Sequence, residues 1–244
     1  MSKLSVQLYS VREAFAGDPG GTLAKLAAIG FTQVEPFGLV EHADVLRTAL
    51  PEHGLTAPTA HAKLIGVDQD EVFAAAVACG VGTVIDPFVP DEQWRTEADV
   101  AATAAALNDA AKRAADLGLA VGYHNHWWEL GNTIGDRTAF EVFADRLDPE
   151  LVLEVDTYWA AAGGADVPAL LTALGSRVVA LHVKDGDLAT DASGQVPAGQ
   201  GRVPVGDVLA AAPDALRVIE FDAYAGDIFD GIAASHAYVT GLAR

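Results

Sequence analysis

Along the 244-residue chain, Ala- and Leu-rich stretches with apolar positions at helical spacing alternate with short, continuous apolar runs. Five times such a stretch closes on a glycine just before a run: Gly30 before Phe31–Glu35, Gly54 before Leu55–His61, Gly80 before Thr83–Asp86, Gly118 before Leu119–His124, and Gly175 before Val178–His182. Glycine suits the left-handed residue that ends a helix, and runs this short and continuous predict strands covered on both faces. Leu4–Leu8, Leu151–Asp156 and Arg217–Phe221 bring the predicted strands to eight. Helices are predicted to begin near Asp44, Asp68, Asp99, Thr138, Asp166 and Asp227, whose side chains can cap them. Strand-helix alternation specifies a parallel sheet, and eight units in this length fit closure into a single (β/α)8 TIM barrel better than an open doubly wound sheet.

No shift in composition marks a second domain, so residues 1–244 read as one (β/α)8-barrel domain. The longest irregular stretch, Asp185 to Gly206, is a strand-to-helix connection and belongs on the catalytic face, as a functional lid or a disordered segment. Within it, Gly199-Gln-Gly-Arg202 reads as a flexible loop or as a phosphate cradle of backbone N–H groups and a guanidinium. Gly163-Gly164 reads as a turn into a helix.

Charge narrows the partners: 15 Lys and Arg stand against 34 Asp and Glu, a formal net charge of -19. Such a surface repels nucleic acid and anionic membrane. The single cysteine, Cys79, lies in an apolar run, so a buried structural thiol and a reducing compartment are expected rather than a disulfide framework. Met1–Leu8 lacks the features of a secretory signal and no run of about 18 apolar residues suggests a span, so a cytoplasmic location is expected.

In barrels of this kind the chemistry sits at the C-terminal ends of the strands. The predicted ends carry Glu35, His61, Asp86, His124-Asn125-His126 followed by Glu129, Glu154 and Asp156, His182 and Lys184, and Glu220 and Asp222. Singly, each has a structural explanation: Glu35 can pair with Arg12, His61 can be a core histidine, and Asp86 before Pro87 can shape a turn. Together, carboxylates and imidazoles converging on one mouth have the donor chemistry for Mn²⁺, Mg²⁺, Co²⁺ or Zn²⁺, and without a cation the carboxylates repel one another.

The segments Val6-Gln-Leu-Tyr-Ser-Val-Arg12, Gly122-Tyr-His-Asn-His-Trp-Trp-Glu129, Leu153-Glu-Val-Asp-Thr-Tyr-Trp159, Leu181-His-Val-Lys-Asp185 and Val218-Ile-Glu220, with Gly30–Glu35 and Gly199–Val205, carry a resemblance over the whole chain. They resemble the xylose isomerase-like TIM-barrel superfamily of sugar isomerases and epimerases, in its Tyr-His-Asn-His version. The resemblance implies a divalent metal, Mn²⁺ foremost, held by Glu129, Asp156, His182 and Glu220. It also implies a sugar or polyol as partner, and a homo-oligomer. Two departures matter. Ketose epimerases carry a glutamate where this chain has His124, so either His124 replaces it as a ligand or Glu129 reaches back from the loop. The second is expected here, with His124 and His126 facing the substrate. They also carry a histidine where this chain has Trp159, which cannot shuttle a proton but can stack on a sugar ring.

The expectation is therefore a metal-dependent isomerase or epimerase acting through an enediolate. Glu129, Glu220 and His124 are its catalytic candidates, and Glu35, His61, His126, Trp159 and Lys184 its substrate contacts. Trp127 and Trp128 are either core aromatics or further stacking surfaces. Elimination or hydration on a 3-keto-glycoside at the same metal site, with His124 or His126 as the acid, and a non-catalytic sugar-binding barrel are the alternatives. The superfamily's multi-zinc DNA-repair endonucleases are a poor match to so acidic a chain.

Overall fold

The computed structural model describes residues 4–242. Residues 1–3, the start of the Met1–Leu8 segment, and 243–244, with them the two ends of the expected 1–244 domain, lie outside the described residues.

Seven parallel strands form one curled sheet: Leu4–Val6, Thr59–His61, Thr83–Asp86, Ala120–His124, Val152–Asp156, Val178–Val183 and Leu216–Ile219. The eighth stave is the chain around Gln33–Glu35. It is bound on one side to the first strand, Glu35 N–H donating to Val6 O at 2.8 Å, and on the other to the Leu55–His61 run, Val34 N–H donating to Thr56 O at 2.9 Å. These bonds close the ring into a (β/α)8 barrel. The stave lacks a full ladder because Pro36 follows it and Pro58 interrupts its neighbour, and proline has no N–H to donate.

The five glycines do close the helices before their strands, all with positive φ between 58° and 120°. Asp68, Thr138 and Asp166 cap as expected, and Thr138 forms a reciprocal capping box with Glu141. Asp227 also accepts from the first-turn N–H groups of Phe229 and Asp230. Two predicted starts shift. Thr96, three residues before Asp99, is the cap of the Glu97–Ala115 helix, and Asp44 lies inside Leu39–Glu52, which starts after the left-handed Gly38. The apolar run Leu39-Val40 enters that helix without a side-chain cap, a start that carries no polar signal in the sequence.

The main core fills the space between strands and helices. A small separate cluster, Ala180, Leu216 and Val218, lies on the inward side of the strands, two residues before His182 and Glu220 on the same face. The mouth of the barrel thus rests on an apolar plug. Cys79 is free and half-buried rather than fully enclosed, its Sγ 3.5 Å from Ala43 O. Among the described residues no helix is long and apolar enough to cross a membrane.

Candidate active site

Because side chains two apart on a strand share a face, Glu154 and Asp156, His182 and Lys184, and Glu220 and Asp222 all project into the mouth in pairs. The parallel register sets Asp156 beside His182 and His124 beside Glu154. His61 and Glu35 complete the ring from the opposite staves.

His182 is the hub. Its Nδ1 lies 2.6 Å from Glu220 Oε2, and its Nε2 lies 2.7 Å from Glu35 Oε1 and 3.1 Å from Glu154 Oε2. Carboxylates beside both ring nitrogens favour the doubly protonated ring. Burial opposes that charge, but Glu154 and Glu220 overcome it and hold the His182 pKa well above the ordinary imidazole value. His61 lies 2.7 Å from Glu154 Oε2, and Glu35 accepts from Gln7 Nε2 at 2.8 Å and from the Thr59 hydroxyl. Burial, reinforced by Glu154, raises the Glu35 pKa. Arg12, the possible partner of Glu35, donates to the Tyr9 and Asp222 carbonyls instead.

Lys184 is the second positive centre. Its Nζ lies 2.8 Å from Asp156 Oδ2, 2.5 Å from Glu220 Oε2 and 2.7 Å from Asp222 Oδ2, with the side chain 1% exposed. Burial opposes the ammonium, but the three carboxylates hold its pKa well above the ordinary lysine value. Burial likewise opposes ionisation of Glu220, and Lys184 and His182 reverse this to hold its pKa well below the usual range. Lys184 is thus spent on ion pairs, and the sequence expectation of a free substrate contact gives way to a buried counter-ion.

Asp156, His182 and Glu220 offer three donor atoms within 4.8 Å of one another, and so, as a second group, do His61, His124, Glu154 and His182. Asp156 Oδ1 is used as a helix cap, accepting from Trp159 N–H at 2.9 Å, while Oδ2 faces the Lys184 ammonium at 2.8 Å and His124 Nε2 at 3.7 Å, neither in hydrogen-bond geometry. His124 Nδ1 and Glu154 Oε1 are buried with no hydrogen-bond partner. The two groups present mixed carboxylate and imidazole donors, a chemistry that fits a divalent cation.

Glu129 stands outside both groups. Its carboxylate accepts from the Tyr123 hydroxyl at 2.7 Å and from His126 N–H at 2.9 Å, so the reach back from the loop that the sequence suggested is taken up by strand and turn. His124 lies nearer, with Nε2 3.7 Å from Asp156 Oδ2, and burial holds its pKa well below the ordinary value, hence neutral. His126 lines the cavity and stacks flat on Trp128 at 4.3 Å. Trp128 donates to Val89 O, and Trp127 packs edge-on against it. Trp159 is 6% exposed and faces Lys184, its ring centre 5.5 Å from Nζ, so it packs behind the site rather than on the cavity wall. Asp86 accepts from the N–H groups of Leu64, Ile65 and Phe88, shaping a turn.

Glu154 and Asp222, counted among the strand-end donors, received no individual role from sequence alone. The signal was present: each is two residues from an assigned member of the ring and must share its face.

The long Asp185–Gly206 connection is neither a loose lid nor a phosphate cradle. Buried Asp185 accepts from four backbone N–H groups: Gly186 and Val203 on Oδ1, Gly199 and Gly201 on Oδ2, each at 2.9 Å. The N–H groups of the glycine motif are therefore already occupied, and Arg202 donates to Asp187 O. A side chain at Gly201 would collide with that carboxylate. Further along, Gln195 donates to Asp222 Oδ2 and accepts from Asp222 N–H, both at 2.8 Å, which ties the loop to the Lys184 cluster. Asp185→Ala should strand several donors, each costing about 1–3 kcal/mol if left unsatisfied. Amide exchange at Gly199, Gly201 and Val203 should accelerate at least about tenfold, with strands unaffected; unchanged protection would show that the loop is held by other contacts.

A family model described as a xylose isomerase-like TIM barrel matches residues 23–215. No curated protein matches the chain. Among solved structures, a sugar phosphate isomerase/epimerase from Parabacteroides distasonis is similar at 21% identity and TM-score 0.84, covering 98% of this chain and 94% of that one. The probable 3-DHS dehydratase AsbF from Bacillus anthracis is similar at 14% identity and TM-score 0.77, covering 98% of both chains. The IOLI protein with a binding zinc atom is similar at 16% identity and TM-score 0.72, covering 98% of this chain and 97% of that one. At these identities the likeness is one of fold.

Proposed function

Since the chain belongs to the xylose isomerase-like TIM barrel family, we propose that it is a divalent-metal-dependent sugar isomerase or epimerase, acting through an enediolate on a keto or aldo sugar or related polyol. The observation that carries this reading is the convergence of Asp156, His182 and Glu220 within 4.8 Å at the mouth of the barrel. A non-catalytic sugar-binding barrel has no need of such a set. The bound ion, Mn²⁺ foremost and otherwise Mg²⁺, Co²⁺ or Zn²⁺, supplies Lewis acidity toward a carbonyl and its neighbouring hydroxyl.

The chain's own residues divide the remaining work. Asp156, His182 and Glu220 would hold the ion, and neutral His124 is a better fourth donor than Glu129, which stands outside the group. Glu35 and Glu154 fix the His182 ring from its far side, and such partners of a ligating imidazole set its orientation and basicity. Glu220, which lines the cavity, is placed to take a proton from the substrate carbon, and His126, which lines it as well, to handle the second proton. Glu129 positions His126 by holding its backbone N–H. Elimination from a 3-keto-glycoside is the second reading, favoured by the placement of His126 on the cavity wall beside Phe88, their rings 5.4 Å apart. His126 then protonates the leaving group.

Both readings share an enediolate, so a purified chain with Mn²⁺ should exchange solvent deuterium into the carbon next to the carbonyl of a keto-sugar, read by NMR. Stoichiometric metal with no exchange on any ketose or 3-keto-glycoside would leave only the sugar-binding barrel. Metal uptake should also release protons, because His182 carries one on Nδ1 that a ligand must lose. With the His182 pKa raised, affinity should climb as pH rises toward that value, and calorimetry in buffers of different ionisation enthalpy should read the release. An affinity flat from pH 6 to 8 would remove His182 from the ligand set.

A further inference from the structure

The cavity over the site is large and lopsided. It is an open cleft of about 780 Å³, within the range of small-molecule sites and with room beyond a bare six-carbon sugar. Its floor carries His61, His124 and Glu220, and its outer wall carries Tyr9, Phe37, Val40, Val67 and Phe88. Of the seven exposed large apolar side chains among the described residues, four (Tyr9, Val40, Val67 and Phe88) line this one cavity. Exposed apolar side chains scattered singly need no explanation, but their concentration around one cavity continuous with a polar site marks a binding surface.

The aromatic wall is braced. Tyr9 and Phe37 pack edge to face at 5.5 Å, and Phe88 packs edge-on against both His126 and Trp128. Its charge excludes an anion. Glu41, Asp68, Glu71, Glu220 and Asp222 line the cavity against a single cation, Lys63. The glycine loop that could have met a phosphate is bonded to Asp185.

Building on the reading given under Proposed function, we propose that the substrate is an unphosphorylated sugar or polyol carrying an apolar substituent about the size of an aromatic ring. The polar part lies at the Asp156, His182 and Glu220 end, and the substituent lies against Tyr9, Phe37 and Phe88. A neutral, partly apolar ligand matches both halves of the cavity, and stacking on aromatic rings adds to the burial of its apolar area.

Matched phenyl and methyl β-D-glucosides, galactosides and xylosides, with glucose and glucose 6-phosphate as controls, test this by calorimetry on the full chain. The phenyl member of at least one pair should bind at least about tenfold tighter than the methyl member, the equivalent of about 1.4 kcal/mol. Glucose 6-phosphate should bind no tighter than glucose. Phe88→Ala and Tyr9→Ala should each cut the phenyl preference about threefold or more while leaving Mn²⁺ stoichiometry unchanged. Equal binding within every pair, no binding by any pair, or tighter binding of glucose 6-phosphate would overturn the proposal. So would a dimer that Phe88→Ala dissociates without any phenyl preference, which would assign the wall to a second copy of the chain. A parallel Mn²⁺ titration keeps the two readings apart: metal binding without a phenyl preference refutes the substituent alone, whereas absence of metal binding refutes the catalytic reading.

Discussion

Lys184→Met should destabilise the fold by about 3–5 kcal/mol, the cost of removing one partner from a buried, hydrogen-bonded charge cluster. Methionine nearly preserves the volume of the lysine stem, so the loss reports charge rather than packing. Three carboxylates, Asp156, Glu220 and Asp222, would lose an ammonium that lies within 2.8 Å of each. Asp156 is fully buried and Glu220 nearly so, so water replaces the ammonium poorly. Thermal or urea unfolding measures the effect.

The pH dependence gives that prediction a sign. In the wild type, Glu220 has a depressed pKa, so its contribution is present above the unfolded carboxyl value of about 4.3 and fades as pH falls through the lower folded value. His182, with a raised pKa, contributes fully below about 6.5 and loses its contribution as pH climbs through its folded value. In Lys184→Met, Asp156 loses the strongest influence opposing its burial, so its already raised pKa should climb further, whereas Glu220 keeps the His182 imidazole 2.6 Å away. The unfolded state then holds fewer protons than the folded one near neutrality, so the variant should recover stability relative to wild type as pH drops from 7 to 5. Added Mn²⁺ should also restore part of it by replacing the missing positive charge. A stability gap that is small, independent of pH and indifferent to metal would mean that Lys184 is not the counter-ion of the ring.

Much of this arrangement was legible in the sequence because barrel geometry turns strand position into spatial position. A polar residue ending an apolar run must face the mouth, and Asp156, His182 and Glu220 fall together for that reason. The five glycines before strands gave the helix ends for an equally local reason, since the left-handed residue is chosen by backbone sterics alone. What stayed hidden depends on side-chain competition between distant segments. Whether Glu129 reaches the ring or is captured by Tyr123 and the His126 N–H is decided by the short helix Trp128–Gly131 folding back over its own strand end. That Lys184 is consumed by carboxylates from two other strands, and that Asp185 occupies the glycine-loop amides, are likewise contacts across long separations. The start of the Leu39–Glu52 helix was missed for the opposite reason: Gly38 begins it through backbone conformation, with no capping side chain to read.

Asp156→Asn and His182→Ala should converge on one phenotype by different routes, and the structure says why both chains should stay folded. Asn keeps an oxygen for Trp159 N–H and is itself a favourable cap, so the Thr157–Ala162 helix should survive while the site loses a negative charge and its outward oxygen donor. His182→Ala removes the hub and leaves Glu35 and Glu220 without their shared imidazole. That change should lower the unfolding midpoint more than Asp156→Asn does, because it strands buried carboxylates rather than neutralising one. Changing a residue that only orients a ligand typically weakens metal binding 10–100-fold, so loss of a ligand should weaken it at least about 100-fold. Elemental analysis after dialysis should find substoichiometric metal in both variants, circular dichroism should find the helices intact, and turnover should fall with metal content. Excess Mn²⁺ should recover part of the activity in Asp156→Asn, whose remaining donors are unchanged, and less in His182→Ala. A folded Asp156→Asn that turns over normally in the presence of a chelator would overturn the metal mechanism.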